Sequence, residues 1–216
     1  MNKLFISTLL FISFIGTTWA QNNSYFFKEP VPPNQKATSG VDARFFGEYE
    51  DEKGFKFIFN AKGIFSEATL LLSISREIIR ESSKYTIKGN YLFGVVENDS
   101  VEYVLNGDNY YYGLKDRIEV VGSNSKNIIV KKGSDYYINF IDGDYYTPAK
   151  ITFRGSQMEI SYFDYPTDKN VFSEIKKSKK KKKEHIVEII LNPTADEWSL
   201  LDHEIIFPEK RIFKKL

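Results

Sequence analysis

Three times the chain reads a polar turn followed by paired tyrosines: Gly107-Asp108-Asn109-Tyr110-Tyr111, Gly133-Ser134-Asp135-Tyr136-Tyr137 and Gly143-Asp144-Tyr145-Tyr146. Glycine and aspartate are turn residues, and aromatic side chains suit a pleated, half-buried surface. Across the segment 84–165 such turns recur about every 8 to 12 residues, the spacing of an all-β sandwich or barrel rather than of βαβ units. The segment therefore predicts a run of β-hairpins.

The chain before this segment shows the same strand pattern. Phe55, Phe57 and Phe59 share one face of a predicted strand, between a turn that ends at Gly54 and another that ends at Gly63. Residues 64–83 fit both a strand and a helical face. Because their neighbours are β, we favour a strand that ends near Arg76.

The pattern changes after Pro166. A short helix is predicted to begin near Val171 and to run into a lysine-rich segment, and residues 185–191 are predicted as a strand. Thr194 and Glu197 have the spacing of a capping box, which predicts a helix whose Trp198 docks on the sheet. Residues 205–207 and 211–213 are interpreted as a final pair of short strands around Pro208. The fold class is therefore all-β with minor α: one antiparallel meander, barrel or sandwich, over residues 43–216.

The first 42 residues are predicted to form a targeting signal followed by a flexible N-terminal arm. Lys3, an apolar run from Leu4 to Ile15 and small residues before Ala20 are the parts of a secretory signal peptide over residues 1–20. The apolar run is shorter than the roughly 20 residues that span a bilayer. Three prolines lie in residues 21–42, which favours a flexible N-terminal arm, laid on the body through residues 25–27. We therefore expect an exported protein that is periplasmic or extracellular and does not span the membrane.

Composition excludes several functions. The chain has no cysteine, so thiol catalysis, zinc thiolate sites and iron–sulfur clusters are closed to it. No cofactor is expected. Lys3 lies in the predicted signal peptide and seven lysines in one segment, which leaves 22 basic against 29 acidic residues. A mildly acidic body is not that of a nucleic-acid binder.

The polybasic segment, residues 176–183, holds the seven clustered lysines: Lys176, Lys177, Lys179, Lys180, Lys181, Lys182 and Lys183. In an exported protein this segment is a candidate for contact with an anionic surface, such as lipid phosphates or acidic polysaccharide. The alternative is a solvated helix end or a disordered loop, since blocks of like charge repel each other. No aromatic residue interrupts the lysines, so base stacking is not expected.

Several stretches resemble a group of uncharacterised secreted β-rich proteins of Bacteroidota. They are Phe45-Phe46-Gly47-Glu48-Tyr49, residues 94–100, Asn139-Phe140, residues 160–164 and Leu191-Asn192-Pro193-Thr194. The resemblance runs from about Ala43 onward and implies export from a Gram-negative bacterium, but it carries no activity, cofactor or catalytic residue. The first stretch, followed by a meander, is also similar to lipocalin-like barrels, from which it departs by lacking a tryptophan after Gly47.

Candidate chemistry is sparse. A glycan hydrolase needs two acids about 5 to 9.5 Å apart, and the candidates are Glu48, Glu50, Asp99 and Glu102. The two histidines, His185 and His203, could bind a metal with Glu188 or Asp202, but their spacing favours structural or exposed histidines. No Gly-x-Ser-x-Gly motif occurs, and Asp142-Gly143-Asp144 lacks the spaced ligands of an EF-hand loop. Catalytic residues remain unassigned and no metal site is predicted.

The tyrosine rows have two interpretations. They form the core and cross-strand pairs of the sheet, or they line a groove for an apolar or carbohydrate ligand. The first is favoured, because paired tyrosines point to opposite faces of a strand. The preferred hypothesis is a non-enzymatic exported domain that binds a ligand or partner through an aromatic face. The alternatives are a glycan-directed hydrolase and a structural or interaction module.

Overall fold

The structure is a computed structural model that describes residues 23–164, 169–173, 175, 178–183 and 186–216. The predicted fold class is confirmed: strands dominate and the helices are short. The predicted signal peptide lies outside the described residues, as do His185, Lys176 and Lys177.

The described residues form sixteen strands: β1 (Asn23–Phe27), β2 (Ala37–Thr38), β3 (Gly47–Glu50), β4 (Lys56–Asn60), β5 (Gly63–Ser75), β6 (Thr86–Lys88), β7 (Tyr91–Val96), β8 (Asp99–Asn106), β9 (Asn109–Gly122), β10 (Ile128–Lys132), β11 (Asp135–Asp142), β12 (Tyr145–Arg154), β13 (Gln157–Tyr162), β14 (Ser178–Lys183), β15 (Ile186–Leu191) and β16 (Lys210–Lys215). The α-helices are α1 (Arg76–Glu81), α2 (Ala195–Leu200) and α3 (His203–Ile206). Two 3₁₀ turns cover Ala43–Phe45 and Lys169–Phe172.

The strands join in the order β14-β15-β1-β12-β13-β16-β3-β4-β5-β9-β8-β7-β6. The sheet branches at β12, which also pairs with β11, and β11 leads to β10 and β2. The pairings are antiparallel except for β1 with β15, which run parallel. Over the described residues the sheet does not close into a barrel, so a sandwich-like arrangement fits.

The first core lies inside the curve of the central strands, β10 to β13, β16, β3, β4 and the beginning of β5. Aromatic rings fill it, including Tyr49, Phe57, Phe59 and Phe213. Their rings meet edge to face, with 5.5 Å between the centroids of Tyr49 and Phe59 and 5.3 Å between those of Phe57 and Phe213. Such aromatic pairs add about 0.5–1.5 kcal/mol each to the area they bury. The turn residue Gly63 fits here because a Cβ on it would overlap the carbonyl oxygen of Val121.

The second core lies on the outer face of β10 to β13, under β1, β15, α2 and α3. Trp198 is its centre and contacts Phe27 and Tyr137 edge to face. The capping box is confirmed: the Thr194 hydroxyl accepts from the Glu197 N–H, and the Glu197 carboxylate accepts from the Thr194 N–H. The cap fixes the start of α2 and so aims Trp198 at the sheet.

A lobe projects from this body. Strands β5 and β9 pair over thirteen residue pairs, far beyond the end of β4, and β8, β7, β6 and α1 join their outer part. Ile74, Leu92 and Tyr112 are the buried residues of the lobe's core. The ambiguous stretch is thus resolved as a strand that ends at Ser75, as predicted, and the short helix α1 follows it directly.

The N-terminal residues predicted as an arm are built into the sheet from Asn23 onward. Tyr25 and Phe27 are buried in the second core, as the predicted contact through residues 25–27 requires. The buried side chain of Asn139 holds the next turn, since it accepts from the Val31 N–H at 2.8 Å and donates to the Val31 carbonyl at 2.9 Å. The Asn139 amide thus satisfies the two backbone groups of Val31 that a neighbouring strand would otherwise bind. Because Asn139 is 108 residues away, the sequence of the arm alone does not predict this contact.

Two local predictions near the C-terminus were wrong. The lysines of 178–183 form strand β14, paired with β15, rather than a helix end or a loop. Residues 203–206 form helix α3 rather than a strand, because the Asp202 carboxylate accepts from the Glu204 N–H and starts a helical turn. Of the predicted final strand pair, only the second member exists, as β16.

Candidate functional site

One end of the central sheet carries a row of aromatic side chains around an arginine. We call Phe55, Phe140, Tyr162 and Arg211 the aromatic rim. Phe140 and Tyr162 lie at or near the C-terminal ends of β11 and β13, and Phe55 and Arg211 lie at or beside the N-terminal ends of β4 and β16. Because β11 and β13 run in one direction and β4 and β16 in the other, all four residues are at the same end of the sheet. Since β5 and β9 continue past β4, the lobe projects from this end too.

Arg211 is anchored from below by Asp51. The Arg211 Nε donates to Asp51 Oδ2 at 2.6 Å, and Nη2 binds the same carboxylate. The other carboxylate oxygen accepts from the backbone N–H groups of Lys53 at 3.0 Å and Phe55 at 2.9 Å. Asp51 is 3% exposed and Arg211 30%, so the charge pair is covered on one side and reaches solvent on the other.

The guanidinium of Arg211 also lies over two rings. Its central carbon is 4.7 Å from the ring centroid of Phe55 and 5.3 Å from that of Phe213. Both distances are within the range of a cation–π attraction. With a carboxylate on one side and rings on another, the guanidinium is held in one orientation.

Tyr162 and Phe140 continue the rim. Arg211 is opposite Ile160, and Tyr162 is the next residue of β13 on the same face. The Tyr162 ring stacks on Phe140, with centroids 6.5 Å apart and planes 28° from parallel. Although Tyr162 is 42% exposed, burial raises the pKa of its hydroxyl, and the Arg211 charge opposes that rise. The hydroxyl is therefore a neutral donor and acceptor near pH 7.

This arrangement suits binding rather than bond cleavage. An exposed stacked ring offers a flat apolar surface, and the phenol and guanidinium beside it offer hydrogen bonds. Aromatic surfaces with a few fixed polar groups are typical of ligand sites. The carboxylate of Asp51 is already bound by Arg211 and two backbone groups, so it is not placed to act as a general acid or base.

The tyrosine pairs are largely core, as the favoured interpretation predicted. Tyr136 lies in the first core and Tyr137 in the second, so both faces of β11 are covered. Burial raises the pKa of Tyr137 above its ordinary value, and the Asp135 charge adds to the rise. Tyr110 packs against the lobe's core, edge to face with Tyr103. Among the described residues these pairs pack into the two cores of the body and the core of the lobe rather than along a groove.

The four candidate acids are divided between the body and the lobe, and each of them contacts another group of the protein. Glu48 and Glu50 both lie near the ammonium of Lys56, at 3.6 and 3.5 Å. Asp99 is in the lobe, where its carboxylate accepts from the Ser100 N–H, and Glu102 accepts from the Tyr91 hydroxyl at 3.2 Å. Two of the acids thus belong to the body and two to the lobe, each with a structural partner.

The described histidine is part of the second core. His203 stacks on Phe207 and meets the Trp198 ring edge to face, and its Nε2 is 3.4 Å from the Trp198 carbonyl oxygen. Burial lowers its pKa, and the charges of Lys150 and Lys132 lower it further. Within the described ranges, no group of three or more His, Asp or Glu residues could hold a metal ion.

Two surface clefts lie away from the rim. One, of about 490 Å³, lies between residues 29–37, Ile128, Val130 and residues 192–195, with Glu29 as its carboxylate. The other, of about 580 Å³, is on the lobe beside the β7–β8 turn and includes Lys84, Glu97 and Asp99. The second cleft contains one predicted acid, Asp99, without a second candidate acid opposite it.

No family model, curated protein or solved structure matches this chain. Among the helices that the structure describes, none is both long and apolar enough to cross a membrane.

Sequence analysis missed the rim. Asp51 and Arg211 are 160 residues apart, and only the pairing of β16 with β3 brings them together. In the sequence Asp51 stands in the predicted turn that ends at Gly54, and residues 211–213 form a predicted strand. The two-residue spacing between Arg211 and the core residue Phe213 was the one available signal, because it places both side chains on the same face of a strand.

Proposed function

We propose that this protein is an exported, non-enzymatic binding domain whose aromatic rim holds a ligand. The observation that carries the proposal is the half-exposed Tyr162 ring, stacked on Phe140 next to an arginine that is fixed by a buried carboxylate. Fixing Arg211 in advance lowers the conformational entropy that a ligand contact would otherwise cost.

The chemistry of the rim favours a neutral ligand with one apolar face. The charge of Arg211 is matched by Asp51, so the rim has little net charge to attract an anion or a cation. A carbohydrate ring has an apolar C–H face that can stack on Tyr162 and hydroxyls that can bond the phenol and the guanidinium. A small apolar molecule with a polar end would fit the same groups.

The export part of the proposal rests on the N-terminal sequence. Residues 1–20 have the charge, apolar run and small residues of a signal peptide, and the likeness to secreted β-rich proteins of Bacteroidota fits the same address. A fusion of residues 1–20 to a reporter enzyme, assayed in periplasmic and cytoplasmic fractions of a Gram-negative bacterium, would check it.

The lysines are proposed to add contact with an anionic surface. This proposal is supported by the position of β14, which is at the end of the strand order and contains five consecutive lysines, residues 179–183. Binding to vesicles with and without anionic lipid, at low and high salt, tests this separately from the rim.

The rim is tested with two tyrosines of equal exposure. Tyr162 is 42% exposed on the rim, and Tyr91 is 44% exposed on the lobe, so Tyr91→Ala is a matched control for Tyr162→Ala. Native mass spectrometry of protein purified from a periplasm without denaturation should show a small bound mass in the wild type. Titration calorimetry with neutral oligosaccharides and an apolar dye would extend the search.

The expected result is a bound species, retained by Tyr91→Ala and weakened about tenfold by Tyr162→Ala, which loses one stacking surface. The proposal fails if the wild type binds none of these probes and carries no small mass. It also fails if the two alanine variants weaken binding equally, since that would place the ligand elsewhere.

A further inference from the structure

One long strand edge in the lobe has no neighbouring strand among the described residues. β4 pairs with β5 only as far as Glu67, where Lys56 is its partner, and β9 occupies the opposite edge of β5 throughout. The outer edge of residues 68–75 therefore faces no described strand. At about 3.3 Å per residue this edge is about 26 Å long, and its backbone N–H and C=O groups are available for a further ladder.

The composition of this edge is unusual. It reads Ala68-Thr69-Leu70-Leu71-Leu72-Ser73-Ile74-Ser75, without a charge, a proline, a glycine or a bulge. Leu71 is 71% exposed beside it. Proteins ordinarily protect free edges with lysines, prolines, bulges or very short strands, because an unprotected edge pairs with another chain.

Other free edges of the described sheet are protected in these ways. Where β8 departs, the free edge of β9 carries Lys115, Asp116 and Arg117. The outer strand β14 is lysine-rich, and β6 has only three residues, one of them Lys88. The contrast within one molecule indicates that the β5 edge is kept open for a partner.

We propose that two copies of this chain pair antiparallel along the β5 edge, with Leu71 on the two-fold axis. In this register Leu71 meets Leu71 of the second copy, Leu70 meets Leu72, and Thr69 meets Ser73. Ala68 meets Ile74, so over residues 68–74 each apolar residue is opposite an apolar residue and Thr69 is opposite Ser73. Thr–Ser pairs are favourable across antiparallel strands, and each leucine pair removes apolar surface from water.

The outer face of the lobe supports the same partner. On this face Leu71 is opposite Gly113, and Val104 is opposite Tyr111 on the far side of β9. Leu71 is thus diagonal to Tyr111, whose own partner on β5 is Ser73, and Leu71 and Val104 are 71% and 70% exposed. Pairing of two copies would join the two outer faces into one surface and shield each Leu71 with its counterpart. The proposal does not depend on the aromatic rim.

The test uses charge at the two-fold axis. Leu71→Lys and Leu71→Glu each place like charges opposite each other in the dimer, while the exposed position tolerates either residue in the monomer. Val104→Lys adds the same charge on the same face, two strands away from the edge. Sedimentation equilibrium of the full natively purified chain, over a wide concentration range, measures each association.

A concentration-dependent wild-type dimer is expected, with an affinity on the order of micromolar for so small an interface. Leu71→Lys and Leu71→Glu should each weaken it at least about tenfold, a one-to-one mixture of the two should restore it, and Val104→Lys should leave it unchanged. A wild type that is monomeric throughout overturns the proposal. So does a dimer that Leu71→Lys leaves intact, or one that Val104→Lys weakens equally.

A second measurement checks the register without relying on charge. The chain has no cysteine, so a Leu71→Cys variant can form only an intermolecular disulfide. Mild oxidation should cross-link Leu71→Cys into a covalent dimer and leave Val104→Cys largely monomeric. Equal cross-linking of the two variants would contradict the proposed register.

Discussion

In the body, β5 and β9 bury Ile64, Val120 and Val121 against closely packed aromatic rings; in the lobe, the same two strands bury little beyond Ile74 and Tyr112. The body is covered on both faces of β11, whereas the outer face of the lobe is exposed at Leu71 and Val104. One continuous ribbon thus passes from a well-packed to a thinly packed environment. Because burial supplies most of the free energy of folding, the two regions should differ in how easily they open.

The largest effect should come from a ring in the body's first core. Phe57→Ala removes a fully buried side chain that packs against Phe55, Phe59 and Phe213. Such a change costs about 3–5 kcal/mol, and we expect it to lower the free energy of unfolding of the whole chain, measured by denaturant titration. Leu200→Ala, at a residue that is exposed on the helix α2, is the control and should change little.

A change in the lobe's core should have a smaller and more local effect. Leu92→Ala empties the centre of the lobe. Such a change costs about 2–5 kcal/mol, and we expect the lower part of this range because the thinly packed lobe can relax around the cavity. Hydrogen exchange should speed up in β6, β7, β8 and the outer halves of β5 and β9, while amides of β11 to β13 keep their protection. Equal acceleration in both regions would show that body and lobe unfold as one unit.

The smallest effect concerns pH and is confined to the second core. Burial depresses the pKa of His203 in the folded protein, so the unfolded chain binds a proton more readily. Stability is then fully present above the unfolded pKa, about 6.5, and is lost as pH falls below that value. Wild-type denaturation midpoints should therefore drop between pH 7.5 and 5.5.

His203→Gln should flatten this dependence, because glutamine does not titrate. Glu204→Gln is the neighbouring control: Lys210 lowers the pKa of Glu204, so that carboxyl changes protonation only at more acidic pH. If the slope between pH 7.5 and 5.5 is the same in His203→Gln and the wild type, the histidine is not its source.

Some of this molecule was determined by the sequence alone. Alternation, glycine turns and the Thr194–Glu197 capping box are local patterns, so they predicted most of the strands within residues 43–163 and helix α2 without knowledge of the neighbours. The prediction of a strand rather than a helix for residues 64–75 is also confirmed, since β5 covers all of them. The predicted role of the tyrosine pairs followed from the two-residue period of a strand, which is again local.

Tertiary structure decided the rest, because it depends on pairs that are distant in sequence. The charge pair of Asp51 and Arg211 forms across 160 residues, and Asn139 holds Val31 across 108. Whether an edge is free is likewise a property of the sheet order: nothing within residues 68–75 shows that β4 stops at Lys56. Local sequence specifies the backbone conformation of a segment. A site or a free edge, in contrast, depends on which strands pair in the folded sheet.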